Sequence, residues 1–277
     1  MTVPRSRQVG DVEVVAVSDG LLNTHHDVVL GIDPAESERL IGTPRGAPIP
    51  LDVNCFVIRH RGRLILSDAG AGNAMGPALG RLPQNLRAAG FPPESIDVLL
   101  MTHLHPDHSL GLVDEAGRAV FPNAELVVHA VEAEFWLDRT PQPDDSERVA
   151  RNTKAQRAAT APYRDRLRRV TDGEVLPGIT AMLRPGHTPG HTNWLIASGG
   201  ERLLIWGDII HLAAVQLVHP DATLVFDVDP QRARETRRQV LDWVAAEQLC
   251  VAGAHLPFPG FARLVREGAG YVRPPER

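Results

Sequence analysis

The segment Thr102-His103-Leu104-His105-Pro106-Asp107-His108 carries four side chains able to bind a metal within six positions. Imidazole nitrogens and a carboxylate are the ligand types that suit zinc and its neighbours in the first transition row. In an extended segment residues two apart point the same way, so His103 and His105 can share one ion. Pro106 then helps to turn the chain, and Asp107 with His108 can face a second ion a few ångströms away. A single histidine is more often a surface or satisfied core residue, but four ligand types crowded behind an apolar run are not explained that way. Three weaker signals follow. Pro185-Gly186-His187-Thr188-Pro189-Gly190-His191-Thr192 is a tight loop presenting an imidazole, Trp206-Gly207-Asp208 ends a strand-like run with a carboxylate, and Val251-Ala252-Gly253-Ala254-His255 ends another with a histidine.

These residues need elements to hold them. Ile96 to Thr102 is a continuous apolar run of strand length, as expected of a strand buried on both faces, and it delivers the chain directly into the histidine-rich segment. Before it come strand-like runs at Val12 to Val17, Asn54 to Arg59 and Arg63 to Leu66, the last two joined by a His60-Arg61-Gly62 turn. A glycine-rich loop from Asp68 to Gly76 and a helix around Leu82 to Ala89 follow. Beyond it, a strand at Glu125 to His129, a short helix at Val131 to Leu137 and a long polar helical stretch from Ser146 to Arg168 are expected, the last lying over the surface. Strands at Ile179 to Leu183, Asn193 to Ile196 and Leu203 to Trp206 precede a helix from Gln231 to Glu247 that Asp229-Pro230 should start. Two batches of strands, each followed by helices, suggest two stacked sheets with helices outside, in one domain over 1–277.

Composition narrows the chemistry. The chain has 277 residues, 43% hydrophobic and 23% charged, with a net charge of −5, so it can bury a sizeable core. An acidic balance, with Arg164 to Arg169 its one dense basic stretch, argues against nucleic acid as a partner. Cys55 and Cys250 form neither a disulfide framework nor a CxxC motif. No secretion-type apolar segment and no run of about 18 apolar residues is visible, which suggests a cytoplasmic protein without a membrane partner. Only 5% of residues are aromatic, so an aliphatic substrate pocket is expected. Of the twelve histidines, His25, His26, His60, His129 and His219 lack any such context and are expected at the surface.

The order HxHxDH, GHTPGHT, a strand-end Gly-Asp and a late histidine resembles the metallo-β-lactamase superfamily of binuclear metallohydrolases, over essentially the whole chain. Within it, Asp68-Ala69-Gly70, Gly76 to Leu82, Phe121 to Ala124, Phe135-Trp136-Leu137 and Ala254 to Gly260 are similar to the methyl parathion hydrolase-like branch, which also holds lactone- and aryl-ester-hydrolysing relatives. That branch places 21 residues between loop histidine and carboxylate and 47 more to the final histidine, as His187, Asp208 and His255 do here. The resemblance implies an αββα sandwich of two mixed sheets. It implies that His103, His105 and His187 bind one divalent ion, that Asp107, His108 and His255 bind another, and that Asp208 bridges both. Zinc is the expected metal, although manganese, cobalt and iron suit the same ligands.

The activity implied is hydrolysis of neutral lactones, aryl esters or phosphotriesters by a metal-bridging hydroxide, with Asp107 and Asp208 in the catalytic centre. Two divalent ions, two carboxylates and hydroxide sum to about +1, so a neutral electrophile gaining one negative charge neutralises the site in the transition state. An acyl-homoserine-lactone hydrolase and a thioester hydrolase similar to glyoxalase II are the alternatives within the family. Met75, Trp136 and His211 occupy positions that could touch substrate, Trp136 also reading as core and His211 as a carbonyl-polarising group or polar rim. Asp68 reads as a carboxylate orienting a ligand histidine or as a turn cap, and His191 as a supporting ring. A homodimer is compatible with the resemblance.

Overall fold

The computed structural model describes residues 5–274. Seven strands form the first sheet: β1 (Ser6–Val9), β2 (Val12–Thr24), β3 (Ile49–His60), β4 (Arg63–Ser67), β5 (Val98–Leu100), β6 (Glu125–His129) and β7 (Leu167–Val170). Six form the second: β8 (Gly173–Leu176), β9 (Ile179–Leu183), β10 (Thr192–Ser198), β11 (Glu201–Gly207), β12 (Cys250–Gly253) and β13 (Phe261–Ala262). In both sheets spatial neighbours are also neighbours in this list. The antiparallel β1 to β4 meander gives way to parallel β4, β5, β6 and β7. In the second sheet β11 and β12 are the parallel pair, joined through the helix Pro230–Ala246. Asp229 accepts the Arg232 amide at the start of that helix, with Pro230 as its first residue, as the sequence suggested.

The alternation of side chains sorts the apolar residues into layers. Val14, Phe56, Ile58, Ile65, Val98 and Leu100 pack between the sheets against Trp194, Ile196, Leu203, Ile205 and Ala252. Val57, Leu66, Leu99, Leu126 and Val128 face outward, beneath Leu82, Leu86, Trp136, Ala159 and Tyr163. On the far side Leu204, Trp206 and Val251 lie under Val240, Leu241 and Val244 of the helix Pro230–Ala246. Helix, sheet, sheet and helix thus form an αββα sandwich, and β5 is apolar throughout because both its faces are covered.

Three expectations need correction. The polar helix spans Glu147–Thr160: Pro162 follows, the chain passes through a 3-10 turn, and Leu167–Val170 becomes an edge strand. Proline has no N–H to continue a helix and restricts the residue before it. Nor is that helix purely superficial, since Asn152, Thr153 and Gln156 are buried and Gln156 accepts the Ser109 hydroxyl. His26 and His129 are buried rather than at the surface, His26 paired with the Thr43 carbonyl and His129 accepting the Val131 amide at the end of β6. Among the described residues no helix is long and apolar enough to cross a membrane.

Candidate metal centre

The chemistry-bearing residues sit on loops at the carboxyl ends of parallel strands and on the turn before β10. After β5 the chain bends at Thr102, His105 is extended, and Pro106 opens a single helical turn, Pro106–Ser109, that carries Asp107 and His108. Asp208 follows β11 immediately, His255 follows β12, and His187 lies in the loop between β9 and β10. Gly207 lets the two sheets meet here. Its φ is +55°, and a Cβ would lie 2.7 Å from His191 Nε2 and 2.9 Å from Thr102 Cβ, a conformation and a clearance that only glycine satisfies.

Ligand atoms converge in four overlapping groups, two of which (His103, His108 and Asp208; His187, Asp208 and His211) share Asp208. One atom each from His103, His105 and His187 form another group, and one each from Asp107, His108 and His255 the last, with all distances inside a group within 4.8 Å. Asp208 stands between them. Its Oδ2 is 3.2 Å from His187 Nε2 and 3.3 Å from His255 Nε2, while Oδ1 is 3.2 Å from His108 Nε2. All seven residues are buried. Beyond these close ion-pair contacts, His103 Nε2, His108 Nε2, His255 Nε2 and Asp208 Oδ1 make no well-formed hydrogen bond among the described residues, an arrangement that is costly for polar atoms out of reach of water. His105 Nδ1 and His187 Nε2 face each other at 2.8 Å, close enough for both to reach one ion. Unpartnered nitrogens and carboxylate oxygens aimed at common points fit divalent metal ions of the zinc type.

A family model described as the metallo-beta-lactamase superfamily matches residues 48–255, a stretch that contains all seven of these residues. The chain belongs to the metallo-beta-lactamase superfamily. Among solved structures it is similar to the hydrolase AbOPH of the beta lactamase superfamily, with 31% identity and a TM-score of 0.91 over 100% of this chain and 99% of that one. It is also similar to AidC, a dizinc quorum-quenching lactonase in complex with a product, with 26% identity and a TM-score of 0.89 over 98% and 97% of the two chains. An N-acyl homoserine lactonase of Bacillus thuringiensis is 26% identical over 116 residues, covering 42% of this chain and 39% of that protein. The chain spans between 30% and 65% of the length of the first curated relatives it matches.

In this metallo-beta-lactamase site the rings are held from behind. His108 Nδ1 meets Asp68 Oδ2 at 3.0 Å, and the Thr102 hydroxyl, donating to the same oxygen at 2.8 Å, can accept from His103 Nδ1 at 3.0 Å. His187 Nδ1 meets Asp227 Oδ1 at 2.9 Å and His255 Nδ1 the Asp52 carbonyl at 2.8 Å. Such contacts place the Nδ1 proton and leave Nε2 directed inward on these four rings, whereas His105 presents Nδ1. Asp68 does this from a left-handed conformation, φ +63°, uncommon for a residue other than glycine. His191 points elsewhere: its Nε2 accepts the Asp208 amide at 3.0 Å and its Nδ1 faces the Arg184 carbonyl at 3.2 Å.

The remaining candidates divide. His211 joins the cluster, its Nε2 2.9 Å from Asp208 Oδ2 and its ring stacked on His255 at 5.0 Å. Trp136 is fully buried, its ring edge-on to His105 at 5.8 Å. Met75 is half-buried in the turn Gly72–Met75 and packs against Val53, Ala71 and Leu79. Sequence reasoning passed over Glu132, Asp227 and Arg237. Glu132 accepts four hydrogen bonds, and Arg237 donates to the Ile209, Pro220 and Ala222 carbonyls 3.6 Å from Asp227. A lone acid amid the apolar Val127 to Ala133 run was the available signal for Glu132; Asp227 and Arg237 had none.

The electrostatics follow from burial and crowding. Burial, helped by neighbouring imidazoles, pushes His103 and His105 well below the usual histidine range. For His187 burial pushes the same way, but contacts with Asp208 and Asp227 outweigh it and raise the ring to about 9. Burial likewise opposes, and Asp208 and Asp107 overcome, in raising His255 to about 10. Asp208 is held well below the carboxylate range, against its burial, by His108, His255 and His211. His108 is likewise raised well above the usual histidine range, Asp208, Asp107 and Asp68 outweighing its burial, so positive charge on these rings balances the buried carboxylates.

Proposed function

We propose that this chain is a dinuclear metallohydrolase of neutral ester-type substrates: lactones, aryl esters or phosphotriesters. The observation that carries the reading is the Asp208 carboxylate lying between two three-residue groups, with one oxygen toward His187 and His255 and the other toward His108. On this reading His103, His105 and His187 hold one ion, Asp107, His108 and His255 the other, and Asp208 spans the two. Zinc is the favoured metal, in keeping with the dizinc lactonase AidC. When bound, two such ions would supply a water activated near neutral pH and would offset negative charge developing on the substrate. The chain's own residues fix the donor atoms: Asp68, Asp227 and the Asp52 carbonyl orient rings, and burial excludes competing water. His211, whose Nε2 lies 2.9 Å from Asp208 Oδ2, acts as a carbonyl-polarising group or as the polar rim of the pocket, while Trp136 acts through the ring of His105.

Assignment to the methyl parathion hydrolase-like branch rests on the spacings of 21 and 47 residues after His187. Acyl-homoserine-lactone hydrolysis is the second reading, supported by the likeness to AidC, solved with the product N-hexanoyl-L-homoserine. The test is metal analysis followed by a panel of lactones, aryl esters and phosphotriesters on the metal-loaded protein. About two divalent ions per chain and turnover of a neutral ester are expected; lactone turnover alone would select the second reading. An iron-coloured protein that hydrolyses none of the panel would refute both.

A further inference from the structure

Glu132 lies outside the ligand set, one turn beyond β6, and is buried. Its Oε1 accepts the Leu104 amide at 2.7 Å and the Trp136 indole N–H at 2.8 Å. Its Oε2 accepts the Thr188 hydroxyl at 2.7 Å and the Gly190 amide at 3.0 Å. Leu104 immediately precedes His105 and Thr188 immediately follows His187, the two rings whose nitrogens face each other at 2.8 Å. The Trp136 indole held by Oε1 is the ring against which His105 packs. A second observation shows how tightly the loops meet. A Cβ on Gly190 would lie 2.1 Å from the Glu132 nitrogen and 2.4 Å from its Cα, so the loop before β10 rests directly on the Glu132 backbone and needs glycine to do so.

We propose that Glu132 is a positioning residue that clips the two ligand loops together and sets the geometry, and therefore the affinity, of the three-histidine ion site alone. The proposal rests on the dinuclear reading above. Among the described residues four donors and no cation surround the carboxylate, and each oxygen is committed to one side: Oε1 to the loop from the first sheet, Oε2 to the loop from the second. Neither oxygen reaches Asp107, His108 or His255. The clip acts on one of the two ion sites, where a general loss of packing would act on both.

The test compares the wild type with Glu132→Gln, which keeps shape but must turn an amide NH2 toward donors, and with the milder Thr188→Val, which removes one donor. Cobalt-loaded proteins are titrated with a chelator, and visible absorption reports the two sites separately. For each variant one ion is expected to leave at roughly 10- to 100-fold lower chelator activity, the usual effect of losing such a support, while the other is unchanged. Equal weakening of both ions, or of neither, would overturn the proposal. Amide hydrogen exchange on the metal-free wild type judges the clip apart from the metals: Leu104 and Gly190 should be strongly protected, and should lose that protection selectively in Glu132→Gln. Unprotected amides in the wild type would overturn the clip, whereas a wild type that binds no pair of ions but keeps both amides protected would overturn the dinuclear reading.

Discussion

Replacing Asp68 by Asn changes the site by one atom. The left-handed backbone at φ +63° is one that Asn tolerates as well as Asp, and the side chains are isosteric, so packing is preserved. What changes is the donor count. Asp68 Oδ1 accepts the Thr102 amide at 2.8 Å, and Oδ2 accepts the Thr102 hydroxyl at 2.8 Å and faces His108 Nδ1 at 3.0 Å. An amide has one acceptor oxygen. If that oxygen serves His108, the NH2 opposes the Thr102 amide. If it serves Thr102, the NH2 opposes the His108 Nδ1–H. Either way a buried group loses its partner, at about 1–3 kcal/mol. The metal-free variant should unfold that much more readily in urea, and the ion facing His108 should be released at roughly 10- to 100-fold lower chelator activity. Unchanged unfolding and unchanged chelator midpoints would refute the assignment of Asp68 as the group that orients His108.

Asp208→Ala removes the carboxylate shared by both groups and should abolish hydrolysis and lower metal content, whereas His191→Gln, whose amide can reproduce both ring contacts, should keep most activity; equal losses by kinetics and metal analysis would contradict this. Burial, with the charge of nearby His187, pushes His191 down to about 3, so below 6.5 the unfolded chain binds a proton that the folded one rejects. Stability of the metal-free protein should therefore fall as pH drops from 6.5 toward 3. His191→Gln should remove up to one proton, about 1.4 kcal/mol per pH unit, from that slope, and an unaltered slope in denaturation series would refute it. Gly207→Ala, forced into a positive φ with its Cβ 2.7 Å from His191 Nε2, should be destabilised by more than about 1 kcal/mol; an unchanged melting temperature would show that the loop is looser than described.

The parts of the site that were legible in the sequence are local. His103, His105, Asp107 and His108 lie within six positions behind a run of strand length, and the same apolar run showed that β5 is covered on both faces. Glycines and prolines around His187 marked a tight loop. The supports were hidden because their partners are remote: Glu132 acts on Gly190, 58 residues on, and Asp227 on His187, 40 residues back. His26 and His129 illustrate the converse, where a histidine outside the metal cluster is buried because its ring serves a backbone group. Pro162 was a readable stop signal for the preceding helix, and the polar character of the residues around it masked the edge strand beyond.

The layer between the sheets acts on the site as a shim. The loop of His103 to His108 is rooted in one sheet, and those of His187, Asp208 and His255 in the other, so the 4.8 Å separation of the His103 and His187 rings inherits the thickness of the packing between Ile65, Val98 and Leu100 on one side and Trp194, Leu203 and Ile205 on the other. Close-packed interiors transmit such changes rather than absorb them. A methylene gained or lost in that layer, far from any of these side chains, would shift the spacing of the cluster, so its geometry is set in part by residues that never touch it.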